Sequence, residues 1–593
     1  MMRGLPLLLS LAGAARASST TPWGFEFDNN GTGPDGPWAV VRAPVDAPDQ
    51  ILGFYPSLLE TSMMVNASAC QAQSAQCVIP NVPAWAGSPA HDLYLNETSA
   101  DFDASDLATV NGGYVTDLMD LQGSLRYTTQ RLTLGSYALD GLAMAVADNV
   151  TANFPNGDWY TVGVGYVPAP GAQQSNQALS LYGGDTFTYN ITSGTQTLPL
   201  TLALGYQQGA YASMSYGIHV GSVQHNITGK MFYGGYDRAR CISAPIAAPS
   251  NSTFSLAAIS LGVAAGAPAL LANPSGATSI DGLLQTNDST TLPLSAQPDP
   301  GLPYMYLPGA TCAALAAHLP VSYDAGLGLY LWNTSAPAYA ALLTSPHHLT
   351  LHFSNASSTT APVPIAIPLA LLNLTLDYPI APTPTPYFPC RPYAPSSSSA
   401  DVVLGRAFLQ AAHLAHNWHT GAVWLAQAPG PAFAAQDLKT IATGDAELTP
   451  LPGAQAWNET WAGVLAPLEE GGSGGDEEGD GSGGGDGGGG LSGGAKAGVG
   501  VGAAVGALAL VGLVGGVVWR RRRDGRGRRE RKGRMVAGQQ QQQQPAELPV
   551  GGRERAAPVE LEGGEVQELP AGADGEGVKE LQGREKPREL PGG

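Results

Sequence analysis

An uncharged segment of 23 residues, Ala497 to Trp519, divides this chain into two unequal parts. As a helix it would be about 34 Å long, which matches the hydrocarbon thickness of a bilayer. Residues 520–523 are four consecutive arginines, and basic residues beside a span favour the cytosolic side. The sequence therefore predicts a single-pass protein with its N-terminus outside the cell. The long polar tail after the span disfavours a lipid-anchor signal.

The first 17 residues have the pattern of a cleaved secretion signal. Arg3 precedes an apolar run from Leu5 to Leu11, and small residues at Ala15 and Ala17 form a cleavage site. The mature chain is then expected to begin near Ser18. A disordered apolar N-terminus is the alternative.

Sequons for N-glycosylation lie only before the predicted span. Their distribution predicts a glycoprotein of the plasma membrane, exposed at the cell surface. The twelve acceptor residues are Asn30, Asn66, Asn96, Asn149, Asn190, Asn226, Asn251, Asn287, Asn333, Asn355, Asn373 and Asn458.

Charge and composition separate the predicted exterior from the rest of the chain. Residues 18–469 contain nine Lys and Arg against 29 Asp and Glu, an acidic balance that argues against a nucleic-acid partner. Residues 469–496 consist mostly of Gly, Asp, Glu and Ser, which predicts a flexible stalk. Residues 520–593 contain a Gln run and repeated Glu-Leu-Pro, which predicts a disordered cytosolic tail with unknown partners.

The spacing of glycines inside the predicted span suggests a homodimer. Gly498, Gly502 and Gly506 recur every four residues, and this spacing lets two membrane helices approach closely. Spans rich in Ala and Gly also occur without pairing, so the oligomeric state stays open.

The part before the stalk is expected to be mainly β. Short runs alternate apolar and polar residues between Gly, Pro, Asn and Ser. The clearest runs are Arg131–Leu134, Leu198–Leu202, His348–Phe353 and Leu372–Leu376. Helix is favoured only at Ala310–Leu319 and Tyr339–Leu343. Periodicity alone does not separate a sandwich or propeller from a two-lobed fold.

Two segments carry a resemblance to a known family. Asp299 to Pro308 reads Asp-Pro-Gly-Leu-Pro-Tyr-Met-Tyr-Leu-Pro, and Asp401 to Gln410 reads Asp-Val-Val-Leu-Gly-Arg-Ala-Phe-Leu-Gln. They resemble the second-lobe active-site turn and its supporting segment in pepsin-like aspartic proteases, peptidase family A1, particularly fungal membrane-anchored members. Val162–Gly165 resembles the matching support of the first lobe. Gly229–Asp237 is similar to the Gly-rich hairpin near the lobe junction.

The resemblance implies a mainly β, bilobal pepsin-like fold. Its lobes would cover about residues 38–220 and 221–430, with 431–468 as a C-terminal extension. It also implies disulfides between Cys70 and Cys77 and between Cys312 and Cys390, because cysteines pair in the secretory compartment. Cys241 is then left as a buried thiol.

The same resemblance predicts a defective catalytic pair. Water attack on a peptide needs two carboxylates that share one proton. Asp299 holds the second-lobe position, but Ser57 stands where the first-lobe Asp belongs, and Leu58 and Leu59 replace the small residues after it. Glu60 is the nearest substitute carboxylate, three residues away.

Pro300 also follows Asp299 where a hydroxyl residue is expected, and it lacks a backbone N–H. Gly301, Tyr304 and Tyr306 are expected to line the cleft between the lobes. Asp299 can alternatively be a turn residue that caps its own backbone.

No metal or cofactor is predicted. Two histidine pairs lack the flanking ligands of a zinc site and are expected at the surface: His347 with His348, and His413 with His416. The leading functional prediction is a non-proteolytic surface protein that binds or senses an extended peptide or a cell-wall component. The alternatives are an acid endopeptidase with a non-standard dyad and a glycosylated spacer that leaves signalling to the tail.

Overall fold

The computed structural model describes most of the predicted exterior. It covers residues 21–45, 51–65, 100–102, 118, 121–134, 137–153, 159–161, 176–191, 194–248, 253–273, 275–286, 291–354, 362–377, 380–394, 400–453 and 455–469. All lie in the first of two compact units, Met1–Gly474, and none in the second, Gly475–Gly593. Within these ranges no helix is long and apolar enough to cross a membrane. The predicted signal, span and tail, the stalk after Glu469, and the Cys70–Cys77 pair fall outside them.

The first half of the described chain is built from strands and one short helix. Its elements are β1 (Trp23–Thr32), β2 (Trp38–Pro44), β3 (Ile51–Ser57), β4 (Ser62–Val65), β5 (Ala100–Phe102), β6 (Leu121–Leu134), β7 (Tyr137–Asn153), β8 (Trp159–Thr161), β9 (Asn176–Ser180), β10 (Thr186–Ile191), β11 (Gly194–Pro199), α1 (Thr201–Gln207), β12 (Ser215–His219), β13 (Lys230–Tyr233) and β14 (Gly235–Asp237).

The second half has the same character, with three short helices. Its elements are β15 (Ile246–Ala248), β16 (Phe254–Val263), β17 (Ser279–Ile280), β18 (Leu294–Pro298), β19 (Met305–Pro308), α2 (Gly309–Ala316), β20 (Val321–Asp324), β21 (Leu329–Trp332), α3 (Pro337–Thr344), β22 (His347–Ser354), β23 (Val363–Pro368), β24 (Leu374–Leu376), β25 (Thr385–Phe388), β26 (Cys390–Tyr393), β27 (Val402–Leu404), α4 (Arg406–Leu409), β28 (Ala412–Asn417), β29 (Ala422–Gln427) and β30 (Leu438–Thr440). Three-residue to five-residue 3-10 helices lie at Arg238–Arg240, Leu369–Leu372 and Trp457–Trp461.

The mainly β prediction is confirmed, and so are both helices, which correspond to α2 and α3. The run His348–Phe353 lies in β22, where Leu349, Leu351 and Phe353 are fully buried on one face. The prediction of a strand over Leu198–Leu202 is wrong in its second part. The strand ends at Pro199, which cannot donate a ladder hydrogen bond, and helix α1 begins at Thr201.

The two halves repeat one strand-pairing pattern. In the first half, β3 pairs parallel with β9, β9 antiparallel with β4, and β4 parallel with β7. In the second half, β18 pairs parallel with β27, β27 antiparallel with β19, and β19 parallel with β26. Four strands in the same order and directions therefore occur twice, as expected for a bilobal pepsin-like fold. The repeat makes the end of β3 equivalent to the end of β18.

A shared sheet joins the halves. Strands run in the order β15, β29, β28, β12, β13, β1, so that segments from the beginning, middle and end of the described chain lie side by side. The predicted hairpin Gly229–Asp237 supplies β13 to this sheet, whereas its β14 pairs with β30 in a separate two-stranded sheet. The loop between β1 and β2 adds a second joint, because Gly36 and Pro34 accept hydrogen bonds from the amides of Thr375 (2.9 Å) and Asp377 (2.7 Å).

The region expected as an extension packs onto the body of the fold. Strand β30 pairs with β14, and the Ala466 amide donates to the Thr344 carbonyl at 2.9 Å. Leu468 forms a bridge with Gly266. These contacts make residues 438–468 part of the packed structure.

The cysteines of the second half behave as predicted. Cys312 on α2 and Cys390 at the start of β26 form a disulfide with their Cα atoms 5.8 Å apart. Cys241 is a buried free thiol, and burial raises its pKa to about 12. A thiol held protonated in this way is a poor nucleophile.

Candidate functional site

Asp299 follows directly after β18 and is fully buried. Its amide donates to the Leu404 carbonyl at 3.0 Å, which anchors the turn to β27. Its Oδ1 accepts the Gly301 amide at 2.8 Å. Burial raises the pKa of the carboxyl to about 6, while the Gly301 amide and the positive charge of Arg406 act in the opposite direction.

Ser57 occupies the equivalent position at the end of β3 and is also buried. Its Oγ accepts the Leu59 amide at 3.2 Å, the same bond to the residue two positions on that Asp299 makes. The repeat of strand pairing and this shared turn bond place a hydroxyl where the second half has a carboxyl. A hydroxyl at this position cannot share a titrating proton with Asp299.

The two turns lie against each other. The Leu58 backbone amide is close enough to Asp299 to lower the pKa of its carboxyl, so the first-half turn reaches the second-half acid. The side chains of Leu58 and Leu59 are 3% and 2% exposed. The Asp299 carboxyl is likewise fully buried and does not reach solvent.

Three residues expected to line an open cleft are instead part of the interior. Tyr304 is 0% and Tyr306 is 1% exposed, and Gly301 is buried as well. The prediction that these three residues line the cleft is therefore wrong, because the chain from Asp299 to β19 runs beneath α4. The Gly405 amide donates to the Tyr304 carbonyl at 2.9 Å. A Cβ on Gly405 would lie 2.5 Å from that oxygen, which explains the glycine.

Arg406 is the main site residue that the sequence analysis missed. Its Nη1 donates to the carbonyls of Pro300 (3.1 Å) and Gly301 (2.9 Å). Its guanidinium carbon lies 4.0 Å from the ring centroid of Tyr55 and 5.0 Å from that of Trp38. The side chain is 2% exposed, so a buried cation fixes the turn that carries Asp299. Two features of the sequence could have indicated Arg406: cations are rare in this acidic region, and Arg406 directly follows Gly405.

Asp35 is a second buried carboxyl in the same cluster. It is 0% exposed, and its Oδ1 accepts the indole N–H of Trp38 at 2.8 Å. The Tyr387 hydroxyl donates to its carbonyl at 2.6 Å. Burial raises the pKa of Asp35, and the positive charge of Arg406 opposes that rise. The positive charge of Arg406 thus acts on the carboxyls of both Asp35 and Asp299. Asp35, however, lies in the β1–β2 loop, outside the repeated turns.

Several polar atoms of this cluster have no protein partner among the described residues. They are Asp35 Oδ2, Asp299 Oδ2, Tyr306 OH, and Arg406 Nε and Nη2. A buried polar group without a partner costs free energy, so this cluster is the least satisfied part of the described core.

The first-half support differs from the one expected at Val162–Gly165, which lies outside the described residues. Strand β9 is the parallel partner of β3, with Ser180 opposite Ser57. Ser180 Oγ donates to the Leu59 carbonyl at 2.7 Å and thereby holds the Ser57 turn.

Glu60 is not drawn into the Asp299 cluster. Its side chain is partly exposed, and partial burial raises the pKa of its carboxyl. It also contributes to a raised pKa at Tyr182, which places it near that ring.

The histidine pairs are not at the surface as expected. His347 is 0%, His413 2% and His416 5% exposed, and His348 is half-buried. Within the described ranges, no three metal-ligating side chains cluster closely enough to hold an ion.

No family model and no curated protein matches the chain. Among solved structures, the aspartic proteinase from Irpex lacteus is similar with a TM-score of 0.41 and 12% identity, over 69% of this chain and 97% of that one. The repeated strand pairing is what supports a mainly β fold compatible with a bilobal pepsin-like arrangement.

Asn in place of Asp299 should change how stability depends on pH. The folded-state pKa of about 6 lies above the ordinary value of 3.8, so the stability due to the protonated carboxyl is present below about pH 4 and is lost as pH rises through 6. The variant lacks this loss. Its free energy of unfolding relative to wild type should rise by about 1.4 kcal/mol between pH 5 and 7.5.

Denaturant unfolding at several pH values measures this difference. Ser57→Ala is the matched control, because it changes the equivalent turn without removing a carboxyl. Its difference from wild type should not depend on pH. A pH-independent difference for Asp299→Asn would contradict a buried, protonated Asp299.

Proposed function

We propose that this is a single-pass, glycosylated cell-surface protein whose aspartic-protease-like exterior does not cleave peptides. The observation that carries the proposal is the pair of equivalent turns. Ser57 Oγ accepts a turn amide in one half, and Asp299 Oδ1 accepts the matching amide in the other. One carboxyl cannot serve as both general base and general acid for water attack.

Burial supports the same conclusion. A peptidase must bring a water and a peptide bond to the acid pair, whereas Asp299 is 0% exposed. Arg406 provides further support, since it fixes the Pro300 and Gly301 carbonyls and introduces a positive charge beside Asp299. Catalytic chemistry at this place would need both the missing acid and access for substrate.

The proposed role is binding or sensing of an extracellular ligand, with an extended peptide or a cell-wall component as the ligand class. Since Gly301, Tyr304 and Tyr306 are buried, the binding surface would lie outside the Asp299 turn. A glycosylated spacer is the competing role. Deleting residues 536–593, while keeping the arginine-rich residues 520–534, separates the two roles. If the exterior is only a spacer and the tail signals, the deletion abolishes the cellular phenotype of the protein. If the exterior binds a ligand, the shortened protein still binds it.

The full-length protein, purified in a non-ionic detergent, should not cleave an unfolded protein substrate between pH 3 and 7. The expected result is a peptide pattern identical for wild type, Asp299→Ala and samples with pepstatin, measured by mass spectrometry. Cleavage that pepstatin blocks and that Asp299→Ala abolishes would overturn the proposal in favour of an acid endopeptidase with a non-standard dyad.

A further inference from the structure

Two buried histidines face each other across the strands β12 and β28. These strands pair antiparallel with Ile218 opposite Leu414, and extending the register by one residue places His219 opposite His413. The two side chains are 0% and 2% exposed. A titratable pair therefore lies inside the sheet that joins the halves of the molecule.

The partners of His219 fix it as a neutral ring. Its Nε2 lies 2.9 Å from the Gln410 carbonyl, which can only accept, so Nε2 carries the proton. Its Nδ1 lies 3.0 Å from Arg240 Nη1, which can only donate, so Nδ1 must be unprotonated. A second proton on Nδ1 would break this bond and place two cations in contact.

Arg240 cannot move away easily, because it is itself buried and held on several sides. Its side chain is 4% exposed, and Nη1 also donates to the Thr228 carbonyl at 2.8 Å. Its guanidinium carbon lies 4.9 Å from the Phe433 ring centroid. Asp237 forms an ion pair with Arg240 at 3.4 Å and also accepts the amide of Asp437, so this carboxylate is already engaged.

His413 faces the same cation and has less support. Its Nδ1 has no partner among the described residues, and its ring lies 5.9 Å from that of Tyr236. Arg240, on the 3-10 helix, is the charged group that acts on both histidines, and His413 also acts on His219. Asp237, on β14, is the carboxylate paired with Arg240. Burial first, and then Arg240, lower the pKa of both His219 and His413 to about 3.

The location of the pair gives its protonation a structural consequence. Strand β12 pairs on its other side with β13, which pairs with β1 of the first half. Strand β28 follows α4 and pairs with β29, in the second half. The β12–β28 seam, defined by Ser215–His219 and Ala412–Asn417, is therefore where the shared sheet passes from one half to the other.

We propose that the β12–β28 seam is an acid-sensitive joint, which stays closed while His219 and His413 are neutral and opens when they take up protons. The inference does not depend on whether the protein cleaves or binds peptides. Groups whose folded-state pKa is lowered contribute stability above their ordinary pKa near 6.5, and that stability is lost as the pH falls. Two such groups should increase the opening constant about a thousandfold between pH 7.5 and 5.

Hydrogen–deuterium exchange of the full-length protein in non-ionic detergent tests this directly. Exchange rates of peptides from β12 and β28 are measured at pH 7.5, 6.5, 5.5 and 5, and are corrected for the intrinsic pH dependence of exchange. The expected result is loss of protection in the seam by about a thousandfold in opening constant. Unchanged protection of the seam at pH 5 would overturn the proposal.

Substitution identifies the responsible groups. His219→Gln retains a donor and an acceptor without a titrating ring. Combined with His413→Gln, it should limit the increase of the opening constant between pH 7.5 and 5 to less than about tenfold. His413→Gln alone loses no hydrogen bond at Nδ1, so it should fold even if the double variant does not, and it should reduce the increase about thirtyfold.

His318→Gln, at a partly exposed position away from the sheet, is the control and should behave as wild type. A single or double variant that retains the full acid response would also overturn the proposal.

Discussion

Replacing Arg406 with Met is expected to lower the free energy of unfolding by about 3 to 5 kcal/mol at pH 7. Met retains an apolar stem beside Trp38 and Tyr55 but leaves the Pro300 and Gly301 carbonyls without their donor. It also removes the positive charge that both Asp299 and Asp35 experience. Breaking a buried charge cluster by removing one partner is costly, because the remaining charge is uncompensated.

Urea unfolding of the full-length protein measures this loss, and Arg131→Met is the matched control. Arg131 pairs with Asp140 at 3.2 Å, but both side chains are largely exposed, so its loss should stay below about 1 kcal/mol. Adding Asp299→Asn to Arg406→Met should recover about 1 to 2 kcal/mol, since the variant then buries one charge fewer. Equal losses for Arg406→Met and Arg131→Met would contradict the role given to Arg406.

The charge arrangement distinguishes this site from an acid pair. In a working pair, two carboxyls share a proton because their like charges cannot both ionise side by side. Here Asp299 and Asp35 both have raised pKa values through burial, and Arg406 stabilises the ionised form of each. A guanidinium group stays charged in proteins and does not take part in proton transfer. The cluster holds the Asp299 turn in place through charge and through the hydrogen bonds of Arg406.

The second-half turn could be predicted from sequence because its signals are local. A strand end or a turn is determined within a few residues in each of two segments, Asp299 to Pro308 and Val403 to Gly405. The structure brings the two segments together by pairing β18 and β19 with β27. Ser57, which the resemblance predicts at the first-lobe position, lies at the strand end that the repeat makes equivalent to Asp299. The disulfide of Cys312 with Cys390 was likewise predicted from family spacing.

What the sequence did not predict depends on contacts between distant segments. Asp35 and Arg406 are 371 positions apart in the sequence and interact only in the fold. The partner of β3 could not be chosen locally, because Asn176–Ser180 contains no Gly at the position where the second half has Gly405. Burial of Tyr304, Tyr306 and the histidines was missed for the same reason, since these residue types occur both inside proteins and at surfaces.

Removing the disulfide is the second large effect, with an expected loss of about 4 kcal/mol in the free energy of unfolding. The bond joins residues 78 positions apart, and a loop of that length gives the unfolded chain much freedom when it is opened. The double variant Cys312→Ala and Cys390→Ala measures this loss by denaturant unfolding. Cys241→Ala removes a buried thiol without a cross-link and should cost about 1 kcal/mol.

The disulfide should also matter for the Asp299 turn itself. Helix α2 continues directly from β19, the strand that follows the turn, and β26 is the parallel partner of β19. The disulfide therefore links the helix after β19 covalently to the strand beside β19. In the double variant, hydrogen exchange should increase in β19 and β26 more than in β22 and β23, which lie on the other side of the same sheet. Equal increases in all four strands would mean that the disulfide acts only on the unfolded chain, as the entropic account alone requires.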